Sequence, residues 1–305
     1  MMPTSSSARA KGNAVRRTLA IATLFAAQAL ASAPAFADLL TYLLPFAKFG
    51  TVENTDCGAQ KGICGAVASM NSYTYLLTQY PQFYGNTIKP IDKGSFANQT
   101  DAAKAWAVNG WTAPNGTARM GFYPRPGTAG FDFWHTKIDW LEDWAPGRTV
   151  YEAFVFTTQD VTTWARPGGL TAGYPTWDFL LREVRDGEDI ELFLKQVNGA
   201  PYHVVTLTGL EIDDRDPTIR FIRYQDPNDP TREKRERLTF NATAVRWEFA
   251  DQLTFGGNRV FIEAAFSESP VVPLPAAAWL MLSGFALLWS FQRGSEARRG
   301  VVRFA

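Results

Sequence analysis

Apolar positions at three-to-four-residue spacing begin beside a cysteine. Val67, Met70, Tyr73 or Thr74, and Leu77 recur with the period of a buried helical face. They predict a helix that opens at Cys64 and stops near Tyr80-Pro81, where the proline discourages helix in the residue before it. A second helical period, Trp177, Leu180, Leu181 and Val184, follows Thr176 or Asp178, either of which can cap it, and runs through Arg185 to the turn Asp186-Gly187. From there the period becomes two. Glu188 to Leu194 alternates with Ile190, Leu192 and Leu194 inward, and Asn198-Gly199 is a hairpin signal. Tyr202–Leu210 and Thr218–Gln225 read as further strands, the latter stopped by Asp226-Pro227-Asn228-Asp229-Pro230. Leu238–Phe240, Val245–Phe249 and Arg259–Phe266 complete the run, and Leu39–Leu44 and Tyr151–Thr157 are strands nearer the start. Residues 82–174 form an elaboration rich in Gly, Pro, Asn and aromatics, with one helix at Asp101–Val108 and aromatic clusters at Phe131–Trp134 and Trp140–Trp144 that read as packing. A helix followed by antiparallel strands predicts an α+β fold, with the cysteine helix packed on an antiparallel β-sheet.

The ends of the chain differ in pattern. Arg9, Lys11, Arg16 and Arg17 precede the apolar stretch Leu19–Leu30 and then Ala35-Phe36-Ala37, which reads as a signal peptide over 1–37. Val271–Phe291 is almost wholly apolar and is followed by Arg293, Arg298, Arg299 and Arg303. That predicts a membrane-spanning helix at 271–292 with a cytoplasmic tail. The body is then 38–270, and the tail 271–305. The whole chain balances 30 basic against 30 acidic residues. Setting aside four basic residues in the leader, and four basic and one acidic in the tail, leaves 22 basic and 29 acidic. A body this acidic argues against a nucleic-acid partner.

Two cysteines make no disulfide framework, and two histidines with two thiols show no metal-ligand spacing; no cofactor motif stands out. Export would put Cys57 and Cys64 in an oxidising compartment, so a Cys57–Cys64 disulfide and an inert buried thiol stay open beside a reactive Cys64. A thiol at a helix N-terminus sits near free N–H groups and the positive dipole end, which favour thiolate. Gly65 is expected to leave space beside the sulfur. His203 lies at the start of one strand and Asp226 at the end of the next, and an antiparallel pair brings those ends together. Asp226 can then orient one ring nitrogen of His203 and leave the other to face Cys64, the arrangement that thiol catalysis needs. His135 reads as structural, and Cys57 as a weaker rival nucleophile in a segment of poor helix propensity.

Ile63-Cys64-Gly65-Ala66 opening a helix, followed by His203-Val204-Val205-Thr206-Leu207-Thr208-Gly209 and Tyr224-Gln225-Asp226-Pro227, resembles papain-like cysteine peptidases. The nearest branches are the bacteriocin-leader-processing and the secreted immunoglobulin-degrading endopeptidases. The resemblance covers about Asp56–Tyr80 and Thr176–Pro230. It implies a papain-like fold and hydrolysis of a protein or peptide substrate. Cys64 would be the nucleophile, His203 the base and acid, and Asp226 the orienting residue, with Asp229 a candidate to assist or replace it. The family's glutamine six residues before the nucleophile is Gly58 here, so Asn54 or Gln60 is the candidate oxyanion donor beside the backbone N–H of Cys64. Val272-Pro273-Leu274-Pro275-Ala276, the apolar span and the arginine cluster resemble the PEP-CTERM sorting signal. That implies an exosortase partner in the inner membrane of a Gram-negative cell and release to the surface or matrix. Two other functions remain open: a non-catalytic surface or matrix protein, and acyl transfer to an amine on the same three residues.

Overall fold

Six antiparallel strands close on themselves. The computed structural model describes residues 39–57, 63–84, 98–119, 121, 129–156, 169–197, 202–250 and 258–271. In chain order the elements are β1 (Leu39–Leu43), α1 (Cys64–Gln79), α2 (Pro81–Tyr84), α3 (Gln99–Lys104), β2 (Trp111–Thr112), β3 (Ala118–Arg119), α4 (Ala129–Trp144), β4 (Thr149–Val155), β5 (Gly169–Ala172), α5 (Trp177–Asp186), β6 (Asp189–Gln196), β7 (Tyr202–Asp213), β8 (Arg220–Asp226), β9 (Asp229–Asn241), β10 (Arg246–Phe249) and β11 (Val260–Pro270). Strands β6 to β11 pair in sequence order, and β11 returns to pair with β6, closing the barrel. β7 extends past β6 and pairs with β1 through Gly209–Asp213, while on the other edge of β11, beyond β10, β4 pairs with Ala264–Pro270. Register shifts at Leu207/Gly209, Gln225/Asp226 and Ile262/Ala264 supply the bends that closure requires.

This corrects the expectation of an α+β, papain-like fold with a helix laid on an antiparallel sheet. The chain is mainly β, built on a closed six-stranded barrel, and its helices are few among the described residues. The element that separates the two architectures is β9. It runs from Asp229 to Asn241 and bridges β8 to β10. Its first half, Thr231-Arg232-Glu233-Lys234-Arg235-Glu236-Arg237, has no apolar residue, so no hydrophobic period marks it as a strand. Ion pairs from Arg223 and Arg235 to Glu211, and from Arg223 to Glu233, tie it instead to β8 and β7.

β6 is buried on both faces. Ile190, Leu192 and Leu194 share a face with Val205, Leu207 and Tyr224 inside the barrel. Asp189, Glu191 and Phe193 point the other way, against α1 and α4. There the Lys137 ammonium lies against Glu191 and Glu268, and Ser72 donates to Asp189, all without solvent exposure. α4 unites the two aromatic clusters on one helix. Its Phe133 packs on Trp106, Phe193 and Phe266 at 5.2, 4.7 and 5.3 Å between ring centroids. α5 starts as the pattern predicts, with Thr176 Oγ1 accepting from the Phe179 N–H at 3.1 Å. It ends at Gly187, whose φ of 82° is the left-handed conformation that glycine adopts without strain. The leader 1–37 and all but the first residue of the expected span 271–292 lie outside the described residues. Among the described residues no helix is long and apolar enough to cross a membrane.

Lys137 sits among carboxylates that burial pushes toward their neutral form. Burial raises the pKa of Asp189 and, further, that of Glu268, against the lowering effect of the Lys137 charge. The folded state therefore keeps protons that the unfolded chain releases above about pH 4. Stability from this cluster falls as pH rises from there. In urea titrations the unfolding midpoint should decrease from pH 5 to pH 8, with a smaller decrease in Glu268→Gln. Lys137→Met should cost about 3–5 kcal/mol, because it removes the cation that lies against buried Glu191 and Glu268.

Candidate active site

The first turn of α1 presents Cys64, with Ile63 at its cap position and the Val67 N–H bonded to the Ile63 carbonyl at 3.1 Å. α1 stands on the outer face of the barrel. Thr206 Oγ1 of β7 donates to the Ala68 carbonyl at 3.3 Å. Gly65 does not leave open space, as its sequence position suggested. A Cβ there would lie 2.9 Å from the Phe133 ring, so the missing side chain is what lets α4 close against the Cys64 turn. The segment before the cysteine is fixed by buried Asn71, whose Oδ1 accepts from the Val52 N–H at 2.8 Å and whose Nδ2 donates to the Val52 carbonyl at 3.0 Å.

The same segment is stitched to the turn that follows Asp226. Gln225 Nε2 donates to the Gly50 carbonyl at 2.8 Å, and the Asn54 N–H to the Pro227 carbonyl at 2.8 Å. The segment leading to Cys64 and the turn after Asp226 thus share one side-chain and one backbone hydrogen bond, although they are far apart in sequence. Strand pairing does the rest. Thr206 opposes Gln225 across β7 and β8, so the start of one strand and the end of the other meet.

The structure brings Cys64, His203 and Asp226 into one row. His203 Nε2 lies 2.8 Å from Asp226 Oδ1, and the ring hydrogen-bonds the Cys64 sulfur. Since Nε2 faces the carboxylate, Nδ1 is the nitrogen left for the sulfur. Side chains of His203 and Asp226 are only 12% and 5% exposed, so little water screens the row. Burial pushes the Cys64 thiol up, but the hydrogen bond and charge of His203, with the Val204 and Gly65 N–H groups, bring it below its ordinary value. Burial opposes the charge on His203, yet Asp226 and Cys64 raise its pKa to about 9. Asp226 would also be raised by burial, but His203, Lys234 and the Asn228 N–H hold it well below the usual carboxylate range. The neighbours of each group thus favour the thiolate, imidazolium and carboxylate forms.

Cys64 is a free thiol, so the Cys57–Cys64 disulfide does not form. Asn54 Nδ2 gives one of its two N–H groups to Asn228 Oδ1 at 2.7 Å. Gln60 lies outside the described residues. The Asp229 carboxylate accepts from the Thr231 hydroxyl at 3.3 Å, and it is Lys234 that supplies the second side-chain contact to Asp226, Nζ to Oδ2 at 2.6 Å. Lys234 and Asn228 escape a reading of the sequence. Counting outward from Asp226↔Asp229 would set Thr231 opposite Tyr224. The register instead jumps to Gln225↔Glu233, extruding Pro230, Thr231 and Arg232, and sets Lys234 opposite Tyr224. Pro230 has no N–H for a ladder, which is a signal for the irregularity but not for its size.

One carboxylate group among the described residues is close enough to share an ion: Asp189, Glu191 and Glu268. The Lys137 ammonium already supplies its positive charge.

Replacing Asp226 tests the electrostatics. Asp226→Asn should lower the His203 pKa by about 1–3 units, read by NMR titration of the imidazole. The signs on stability follow. The raised His203 pKa stabilises the fold fully below about pH 6.5, and that contribution is lost as pH rises through about 9. The lowered Asp226 pKa stabilises above about pH 4 and is lost as pH falls through the folded value. The difference in stability between wild type and variant should therefore be largest between about pH 4 and 6.5.

No protein-family model matches the chain, and no curated protein matches it significantly.

Proposed function

We propose that this chain is a thiol hydrolase that cleaves peptide bonds, with Cys64 as nucleophile, His203 as acid and base, and Asp226 as orienting carboxylate. The observation that supports it is the hydrogen-bonded row from the Cys64 sulfur through His203 to Asp226. Each neighbour favours the charged form of the next, which favours thiolate, the reactive form of the sulfur. The sulfur attacks the scissile carbonyl carbon, a C–S bond forms, and the carbonyl π electrons move onto oxygen. The backbone N–H of Cys64, in a helix turn without intrahelical acceptors, is the donor available to that oxygen. As the C–N bond breaks, the imidazolium Nδ1 gives its proton to the leaving amine. Water then adds to the thioester with its proton passing to His203, and the sulfur leaves as thiolate. The sequence of 1–37 and 271–305 supports the further proposal that the enzyme is exported and sorted to the cell surface.

Cys64→Ala and Cys64→Ser should lower peptide cleavage by about 10⁴-fold with the fold intact by circular dichroism. A peptide-like thiol-reactive probe should label Cys64 in the wild-type protein. Cleavage at the wild-type rate in either variant would sink the proposal. The rate should also fall as pH rises through about 9, when His203 loses the proton that the leaving amine needs. An added amine that captures the acyl group in place of water would redirect the reading to acyl transfer.

A further inference from the structure

We infer that Lys234 is a positioning residue of this site, clamping Asp226 and balancing the charge of the row. The inference rests on the reading of Cys64, His203 and Asp226 as an ion-paired site. Its own support is geometric. Lys234 stands opposite Tyr224 on β9, diagonally across from Asp226, and its Nζ lies 2.6 Å from Oδ2. His203 lies 2.8 Å from the other oxygen, Oδ1, which also accepts from the Asn228 N–H at 2.9 Å. Both oxygens are therefore held by donors in fixed positions, and the carboxylate cannot rotate away from the imidazole without breaking a charge-assisted bond.

The charge count points the same way. In their charged forms, the sulfur, imidazole and carboxylate together carry one net negative charge in a site with little water. An unpaired charge there is costly, and Lys234 supplies the counter-charge. The groups that face Asp226 are His203 from β7, Lys234 from β9 and Tyr224 of its own strand. Cys64 of α1 reaches it through His203. Lys234 lies at the far end of the row from the sulfur, so it acts through Asp226 and not on the substrate. The extrusion of Pro230, Thr231 and Arg232 serves this contact, because an unshifted register would put Thr231 in its place. Gln225 Nε2 pins the extruded segment by donating to the Pro230 carbonyl at 2.8 Å.

The test is a pair of pH titrations that need no substrate. Alkylation of Cys64 by iodoacetamide follows the thiolate fraction, and NMR follows the His203 imidazole. Removing a positive charge raises the proton affinity of every group it faced. In Lys234→Met both titrations should move to higher pH by roughly 0.5–1 unit. Lys234→Arg keeps the charge and should titrate like the wild type. Arg232→Met removes a charge from the same strand and should leave both curves in place. Lys234 is partly exposed at the barrel surface, and folding of each variant is checked by circular dichroism. A Lys234→Met protein that is folded but titrates like the wild type overturns the inference and leaves the ion pair standing. So does an equal shift in Arg232→Met. A wild-type Cys64 that titrates as an ordinary thiol removes the ion pair itself, and Lys234 then has nothing to tune.

Discussion

The return of β11 to β6 is the constraint on which the rest of this molecule depends. It turns a run of antiparallel strands into a barrel and leaves β6 with no solvent on either face. One face of β6 fills the barrel with Ile190, Leu192 and Leu194. The other must then be covered, and α1 and α4 cover it. Since the covered face carries Asp189 and Glu191, the covering helices bring Ser72 and Lys137 to meet them. A buried carboxylate without such partners would be too costly to keep.

That covering places the chemistry. α1 is seated on β6 and β7 by polar and apolar contacts along its length, and its first turn ends up beside the start of β7. His203 is there because β7 begins there, and Asp226 because β8 ends there. Gly65 and Phe133 set how closely the Cys64 turn can approach. The electrostatics then follow from low water content. The sulfur, imidazole and carboxylate are each shifted by their neighbours in the row.

Local pattern was legible where burial was one-sided or a cap was chemically explicit. The helix from Cys64, the helix capped by Thr176, the turn at Gly187 and the strands of the C-terminal half stand close to where their periods put them. The site residues Cys64, His203 and Asp226 were legible as a set because strand order alone brings two of them together. Two features were not legible. α4 reads as two aromatic clusters, because a helix whose buried residues include Thr136, Lys137 and Asp139 has little hydrophobic period. The first half of β9 goes unassigned, because its mixed charges, paired across strands, leave no hydrophobic period.

The sequence by itself determined the local conformations, the residue types able to perform thiol chemistry and their order along the chain. Each of these depends on interactions within a few residues or on the period of one element. Tertiary structure alone decided that the sheet closes, that Asp189 and Glu191 are buried beside Ser72 and Lys137, and that Lys234 lies against Asp226. Those outcomes depend on register, and a register shift at one proline-bearing bulge changes which side chains face each other without changing the hydrophobic pattern of either strand.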